Sequence, residues 1–227
     1  MKCSICDIEI KGNYCSNCGQ HNNSHKLTFF QLIVDGFSNI LALDGKLWNN
    51  IKTIFANPKK YVTNYWNGFR GYFYSPFRFF MVALLALAIH FYFANSFLMI
   101  EISSNGVSKQ FALLTLFIIL ISVSSFITYI LEKRTFAEHL VLTTYSVSLW
   151  TIIFVPISIL LESADYEGFE SALLLFFLLL IMLWNNRTFD MKLYRRILYV
   201  FLHISVTMLI IVGLYFSLYS LEIININ

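Results

Sequence analysis

Four stretches of this chain contain no Asp, Glu, Lys or Arg and are each long enough to cross a bilayer as a helix: residues 79–100 (22 residues), 110–131 (22), 139–161 (23) and 197–221 (25). A spanning helix needs about 18 to 20 residues, since the hydrocarbon core is about 30 Å thick and a helix rises about 1.5 Å per residue. In lipid every backbone N–H and C=O must be paired within the segment, so these stretches are predicted to be helices. Composition agrees. The chain is 58% hydrophobic and 13% charged, against roughly 45–50% and 25% for soluble domains. A fifth run, 171–186, has 16 residues and would reach only about 24 Å.

Charge placement decides how that fifth run is read, because Lys and Arg near span ends favour the cytoplasmic side. With five crossings and the N-terminus inside, fifteen of the sixteen cations fall on the inner side. They are Lys2 to Arg78, Lys133 and Arg134, and the group Arg187, Lys192, Arg195 and Arg196; only Lys109 lies outside. The loop holding Glu162, Asp165, Glu167 and Glu170 then faces outward. If 171–186 did not cross, the cations at 187–196 would sit on the wrong face. The expected spans are therefore about 79–100, 111–131, 140–161, 170–186 and 197–219. The predicted product is an all-α integral protein of a bacterial cytoplasmic membrane, with its N-terminus in the cytoplasm and its C-terminus outside. The net charge of +3 is a topology signal, and no nucleic-acid partner is expected.

The four cysteines, Cys3, Cys6, Cys15 and Cys18, form two C-x-x-C pairs separated by eight residues. Only Met1 and Lys2 precede the first, leaving no room for a cleavable signal, so the thiols are expected in a reducing compartment where such pairs favour metal over disulfide. Each C-x-x-C turn lets two thiolates converge on one ion, and two turns complete a tetrahedral Zn²⁺ site. Gly19 supplies an unhindered backbone after the second pair, and Asp7 holds the matching place after the first. His21 and His25, at H-x3-H spacing, offer a competing set with two thiolates and two imidazoles, and iron uses the same four thiolates. A structural zinc ribbon at 1–22 is the reading adopted, because so short a segment has no core of its own and metal binding supplies its folding free energy. Lys2 and Lys11 are balanced by Asp7 and Glu9, which is no phosphate-binding surface.

Residues 23–78 carry helical stripes. Phe30, Ile33, Val34, Phe37, Ile40 and Leu41 follow a Thr28/Gln31 capping pair; Leu47, Trp48, Ile51, Ile54 and Phe55 form a second stripe. Asn57 and Pro58 read as the cap and first residue of a third helix bearing Tyr61, Val62, Tyr65 and Trp66. Ten aromatics fall within 61–80, the composition of a headgroup layer, so these helices are expected to lie in the membrane interface, ahead of the five-span domain at 79–227.

Within the spans no Asp, Glu, Lys or Arg occurs, and no H-E-x-x-H, G-x-S-x-G or phosphate-binding loop is present, which disfavours a proton pump, a voltage sensor or a membrane protease. The remaining polar groups are Glu132, Lys133, Arg134, Glu138 and His139, ordinarily explained by ion pairing at the inner surface, with Glu138 and His139 readable instead as a proton-transfer or metal-contact pair at a pocket mouth; His90, expected near mid-depth of the first span; His203, in the inner third of the fifth; and Arg70. An ionisable group in a membrane is a functional hypothesis by default, yet a neutral His can also simply bond across helices. Ser122, Ser124, Ser125 and Thr128, with Thr143, Thr144, Ser146, Ser148 and Thr151, are expected to form small polar packing surfaces, and Pro156 to kink the third span.

Taken with A-L-D-G-K-L-W at 42–48, the series Pro58, Tyr65, Gly68, Arg70, Tyr72 and Pro76, and E-H-L at 138–140, the ribbon motif C-S-I-C…Y-C-S-N-C-G-Q at 3–20 resembles a bacterial family of zinc-ribbon membrane proteins, domain of unknown function 3667. The resemblance covers most of the chain, with Asp7 departing from the glycine usual in the first knuckle. It implies the architecture and the four cysteine ligands, and no activity. The residues themselves point to a non-enzymatic scaffold that recruits a protein partner to the cytoplasmic face. Two alternatives stand beside it: an oligomeric pore or permease, such as a phage-defence accessory protein, and a lipid-modifying enzyme using Glu138, His139 and Arg70.

Overall fold

The computed structural model describes residues 3, 6–10, 12, 14–17, 19, 21–22, 47–70, 73–94, 96–98, 100, 108–163 and 169–220. The chain runs through β1 (His21–Asn22), α1 (Leu47–Ala56), α2 (Pro58–Trp66), β2 (Phe69–Arg70), α3 (Pro76–Phe93), α4 (Lys109–Thr128), a 3-10 turn at Ile130–Glu132, α5 (Phe136–Ser163), α6 (Phe169–Arg187) and α7 (Leu193–Ser220). Among the described residues the named elements are helical except for β1 and β2, which pair antiparallel with His21 opposite Arg70 and Asn22 opposite Phe69.

Among the described residues, four helices are long and apolar enough to cross a membrane: Pro76–Phe93, Lys109–Thr128, Phe136–Leu161 and Leu193–Phe216. The apolar helix that ends at Arg187 is shorter by that measure, although α6 as a whole has 19 residues, or about 28 Å.

Local chemistry moves the helix ends away from the charge-free runs. The first span was expected over 79–100, but α3 begins at Pro76, behind an Ser75 cap that accepts from the Arg78 amide, and ends at Phe93. Past Ala94, Phe97 is bridged to Ile100 among the described residues. The start of α5 lies at Phe136, ahead of the expected 140, because Thr135 and Glu138 form a capping box. The Thr135 amide donates to Glu138 Oε2 at 2.8 Å, and the Glu138 amide donates back to Thr135 Oγ1 at 3.3 Å. That exchange satisfies two amides a helix start would otherwise leave unpaired. Lys133, at φ 53, supplies the left-handed turn that reverses the chain before it.

α5 is the central helix, in contact with α2, α3, α4 and α6, while α7 packs on α4 and α6. Its buried side chains include Val141, Leu142, Tyr145, Val147, Leu149 and Phe154. Lipid tails are as apolar as these side chains, so close packing and interhelical hydrogen bonds, more than water exclusion, hold such helices together.

α1 and α2 form as the Asn57–Pro58 punctuation predicts. Asn57 accepts from the Lys60 amide at 3.1 Å and Pro58 opens α2. The apolar stripe of α2, Tyr61, Val62, Tyr65 and Trp66, is buried in the same core as the membrane-length helices. Asn50 Oδ1 on α1 accepts from the Tyr61 hydroxyl at 2.6 Å and from the Tyr74 amide at 2.9 Å, and the Tyr145 hydroxyl donates to the Tyr74 carbonyl at 2.8 Å. This knot ties α1, α2 and the approach to α3 onto α5. Burial pushes the Tyr61 phenol well above its ordinary range, so it remains a donor. The helical stripe expected at 30–41 lies outside the described residues.

Candidate metal centre and buried histidine cluster

The first candidate site lies in the N-terminal segment. The sulfur atoms of Cys3, Cys6 and Cys15 all lie within 4.8 Å of one another, and Cys3 and Cys15 are buried. Cys6 Sγ and Cys15 Sγ are 3.5 Å apart; a tetrahedral zinc with bonds of about 2.3 Å would space its sulfurs by about 3.8 Å. Three thiols gathered at ligand spacing in a segment with this little core fit a metal ion.

The local backbone explains the convergence. After the first C-x-x-C the Asp7 amide donates to the Cys3 carbonyl at 3.0 Å, and in the second turn the Gly19 amide donates to the Cys15 carbonyl, also at 3.0 Å. Asp7 and Gly19 both adopt the left-handed conformation, at φ 57 and 68. The two turns are thus equivalent, and Asp7 does by tolerance what glycine does freely. Cys18 and His25 lie outside the described residues, and His21 contributes its backbone to β1.

The second candidate site lies where the C-terminal end of α4 meets the first turns of α5 and the first half of α7. Ser124 and Ser125 are consecutive on α4 and turn to different neighbours. Ser125 Oγ is 2.9 Å from His139 Nδ1 on α5, and Ser124 Oγ is 3.0 Å from His203 Nε2 on α7. Ser124 also donates to the Ile121 carbonyl at 3.1 Å. Its single proton is therefore spent, so it accepts from His203 Nε2–H, which leaves Nδ1 as a bare acceptor. Tyr129 sits between the imidazoles, stacked near His139 at 6.4 Å and edge-on to His203 at 5.6 Å, with Phe189 stacked on it at 4.4 Å.

Among the described residues, His139 Nε2, His203 Nδ1 and the Tyr129 hydroxyl are buried with no hydrogen-bond partner. The nearby end of α6 repeats the pattern at Asn185, whose amide has no partner on either atom, and at Thr188 Oγ1. Buried polar atoms are normally satisfied, so a group of this size sets this end of the helical bundle apart among the described residues. The aromatic signal, a Tyr just past α4 and a Phe just past α6, was visible in the sequence; its convergence on the histidines was not.

The other polar candidates separate. Glu138 and His139 do not form a pair: consecutive residues on a helix point about 100° apart. Glu138 turns back to its cap and to Arg134, at 2.9 Å, while His139 enters the bundle. His90 is not at mid-depth but in the last turn of α3, because that helix stops at Phe93. Its Nε2 lies 2.7 Å from the Ser96 carbonyl, beside Phe91 and Phe97, whereas His139 and His203 both lie against Tyr129. Arg70 contributes backbone to β2, and its side chain lies outside the described residues.

Several other hydroxyls of α4 and α5 pack between or along the helices, whereas Ser148 and Thr151 are buried with no partner among the described residues. Ser122 bonds to Thr143 across the helix pair, and Ser122, Thr128 and Thr144 donate to carbonyls one turn back, at 2.6, 2.7 and 2.7 Å. No protein-family model matches the chain, and no curated protein or solved structure matches it.

Proposed function

We propose that this chain is a non-enzymatic membrane scaffold, in which a zinc-loaded cytoplasmic ribbon is fixed to the basic end of a helical bundle and presents a recruitment surface for a protein partner. One observation carries this reading: β1, directly after the cysteine segment, pairs with β2, which joins α2 to α3. The metal-binding segment is thereby tethered to the bundle rather than carried on a free linker. In this reading Cys18 is the fourth ligand and the ion is Zn²⁺, as the all-thiolate spacing favours. α6 is the fifth crossing, since its 19 residues nearly match the hydrocarbon thickness and the cations at 187–196 then face the cytoplasm. The membrane is the bacterial cytoplasmic membrane, the C-terminus lies outside, and the family resemblance supports the same layout.

The Ser122–Thr143 bond between α4 and α5, and hydroxyls such as Thr128 and Thr144 that bond back to their own helix, support a packed scaffold over an aqueous pore. The use of Glu138 in a helix cap removes a carboxylate from the lipid-modifying reading. Proximity labelling from the N-terminus in cells tests the proposal. A discrete partner set should be enriched by the wild type and lost in the Cys3→Ser/Cys15→Ser variant, with membrane insertion unchanged. Labelling of the protein itself alone, or an identical set from both forms, would overturn it.

A further inference from the structure

A groove of about 580 Å³ opens on the outer surface of the bundle between α1, α5, α6 and α7. Its walls are apolar, among them Phe55, Trp150, Leu183 and Phe201, and its basic end carries Arg187 and Arg196. Leu183, Ile197 and Phe201 on its lining are exposed, which in a membrane-length bundle means exposed to acyl chains. At the other extreme, Arg187, Lys192, Arg195 and Arg196 crowd one short stretch whose only acid, Asp190, is already paired with Lys59. Among the described residues neither Arg187 nor Arg196 meets a carboxylate. Three N–H groups of lining residues, Trp150 Nε1, Trp184 Nε1 and Arg196 Nε, also lack an acceptor, and Asn186 Oδ1 is the unpartnered acceptor on the same lining. An apolar trough ending in two unpaired arginines, with donors in excess, matches a ligand with an acyl chain at one end and anionic oxygen at the other.

We propose that this groove is a binding site for an anionic phospholipid, whose chain lies along the apolar wall and whose phosphate is held by Arg187 and Arg196. The assignment depends on membrane insertion and not on the recruitment role. Guanidinium suits it because two parallel N–H groups can reach one phosphate and the charge persists at any physiological pH. A small polar rim beside a large apolar wall also explains why the site faces the bilayer rather than the bundle interior.

Native mass spectrometry of the full-length protein in maltoside detergent, titrated with dioleoyl phosphatidylglycerol or dioleoyl phosphatidylcholine, tests this. The wild type should retain one phosphatidylglycerol in preference to phosphatidylcholine. The Arg187→Gln/Arg196→Gln variant should lose about 30-fold in phosphatidylglycerol affinity, as expected for two interfacial cations, with phosphatidylcholine adducts unchanged. Ile197→Trp, which fills the groove without touching charge, should lower lipid retention as well, and decides the matter if the double variant is misfolded by size-exclusion chromatography. Equal retention of both lipids by the wild type would overturn the proposal, as would wild-type phosphatidylglycerol binding in the folded variants. So would displacement of bound lipid by excess inorganic phosphate alone, which would mark an anion site without an acyl component.

Discussion

His139 on α5 and His203 on α7 are each held through one ring nitrogen by consecutive serines of α4, Ser125 and Ser124, with Tyr129 between the rings. Two adjacent residues of one helix therefore clamp two others. Substituting either histidine removes its serine's bond across the helices, Ser124 keeping only its donation to the Ile121 carbonyl, and disturbs the packing of Tyr129. His203→Ala and His139→Ala should each cost about 1–3 kcal/mol. Because both rings touch Tyr129, the double variant should depart from additivity by at least about 0.5 kcal/mol. Reversible unfolding in detergent with a double-mutant cycle measures this, and strict additivity would show the two sites to be independent.

The thiol cluster predicts a defined metal content. The purified protein should carry one zinc per chain by inductively coupled plasma mass spectrometry, and Cys3→Ser or Cys15→Ser should reduce it to background. Chelation should unfold the N-terminal segment while leaving the helical signal of the bundle intact, because the ion substitutes for a core only in that segment. Iron in place of zinc, or metal retained in both variants, would contradict this.

Asp7 stands in a left-handed conformation that glycine adopts without cost. Asp7→Gly should tighten the first turn by up to about 1 kcal/mol, read as stronger zinc retention in competition with a chelating dye. Asp7→Val should weaken it.

The capping box at the head of α5 makes a structural prediction for Glu138. Thr135→Ala and Glu138→Ala should each cost about 1 kcal/mol and lower the melting temperature in detergent. Lipid composition in expressing cells should not change. A lipid profile that responds to Glu138→Ala without loss of stability would restore the catalytic reading of that residue.

The Asn50 knot is a stringent test of how α1 and α2 attach. Asn50→Leu keeps the size and removes the acceptor, taking from the Tyr74 amide its bond to Asn50 and leaving the Tyr61 hydroxyl only its longer 3.3 Å bond to the Tyr74 carbonyl. A loss of about 2–4 kcal/mol is expected. Protease accessibility of residues 47–66 should rise together with it, and an unchanged digestion pattern would count against the docking of these helices on the bundle.

How much of this was legible beforehand follows from the range of the forces involved. The four membrane-length helices could be read from the chain because lipid imposes its requirement residue by residue: an apolar run of sufficient length has no other low-energy conformation there. Asn57, Pro58 and Gly19 were equally readable, since a cap or a left-handed turn depends on a few neighbouring residues. The equivalence of Asp7 with Gly19 could be read from position, and the backbone bears it out. Helix ends were less accessible. The Thr135-x-x-Glu138 pattern and ion pairing within Glu132–Glu138 are legible in the letters, and Arg134 does pair with Glu138; the alternative of a Glu138–His139 pair arises because sequence adjacency hides the angle between consecutive helical side chains.

What the sequence determined alone is which segments form helices long and apolar enough for a membrane, and that the cysteines fall in paired turns that can gather three thiols. What only the tertiary structure decided is convergence: that His139 and His203 share Tyr129 while His90 does not, that Trp66 donates to the Glu138 carbonyl at 3.0 Å, and that the cysteine segment is stitched to β2. Such contacts depend on the rotation and depth of one helix against another. Within a bilayer that choice is made by side-chain packing and a handful of hydrogen bonds between distant residues, and no local pattern records it.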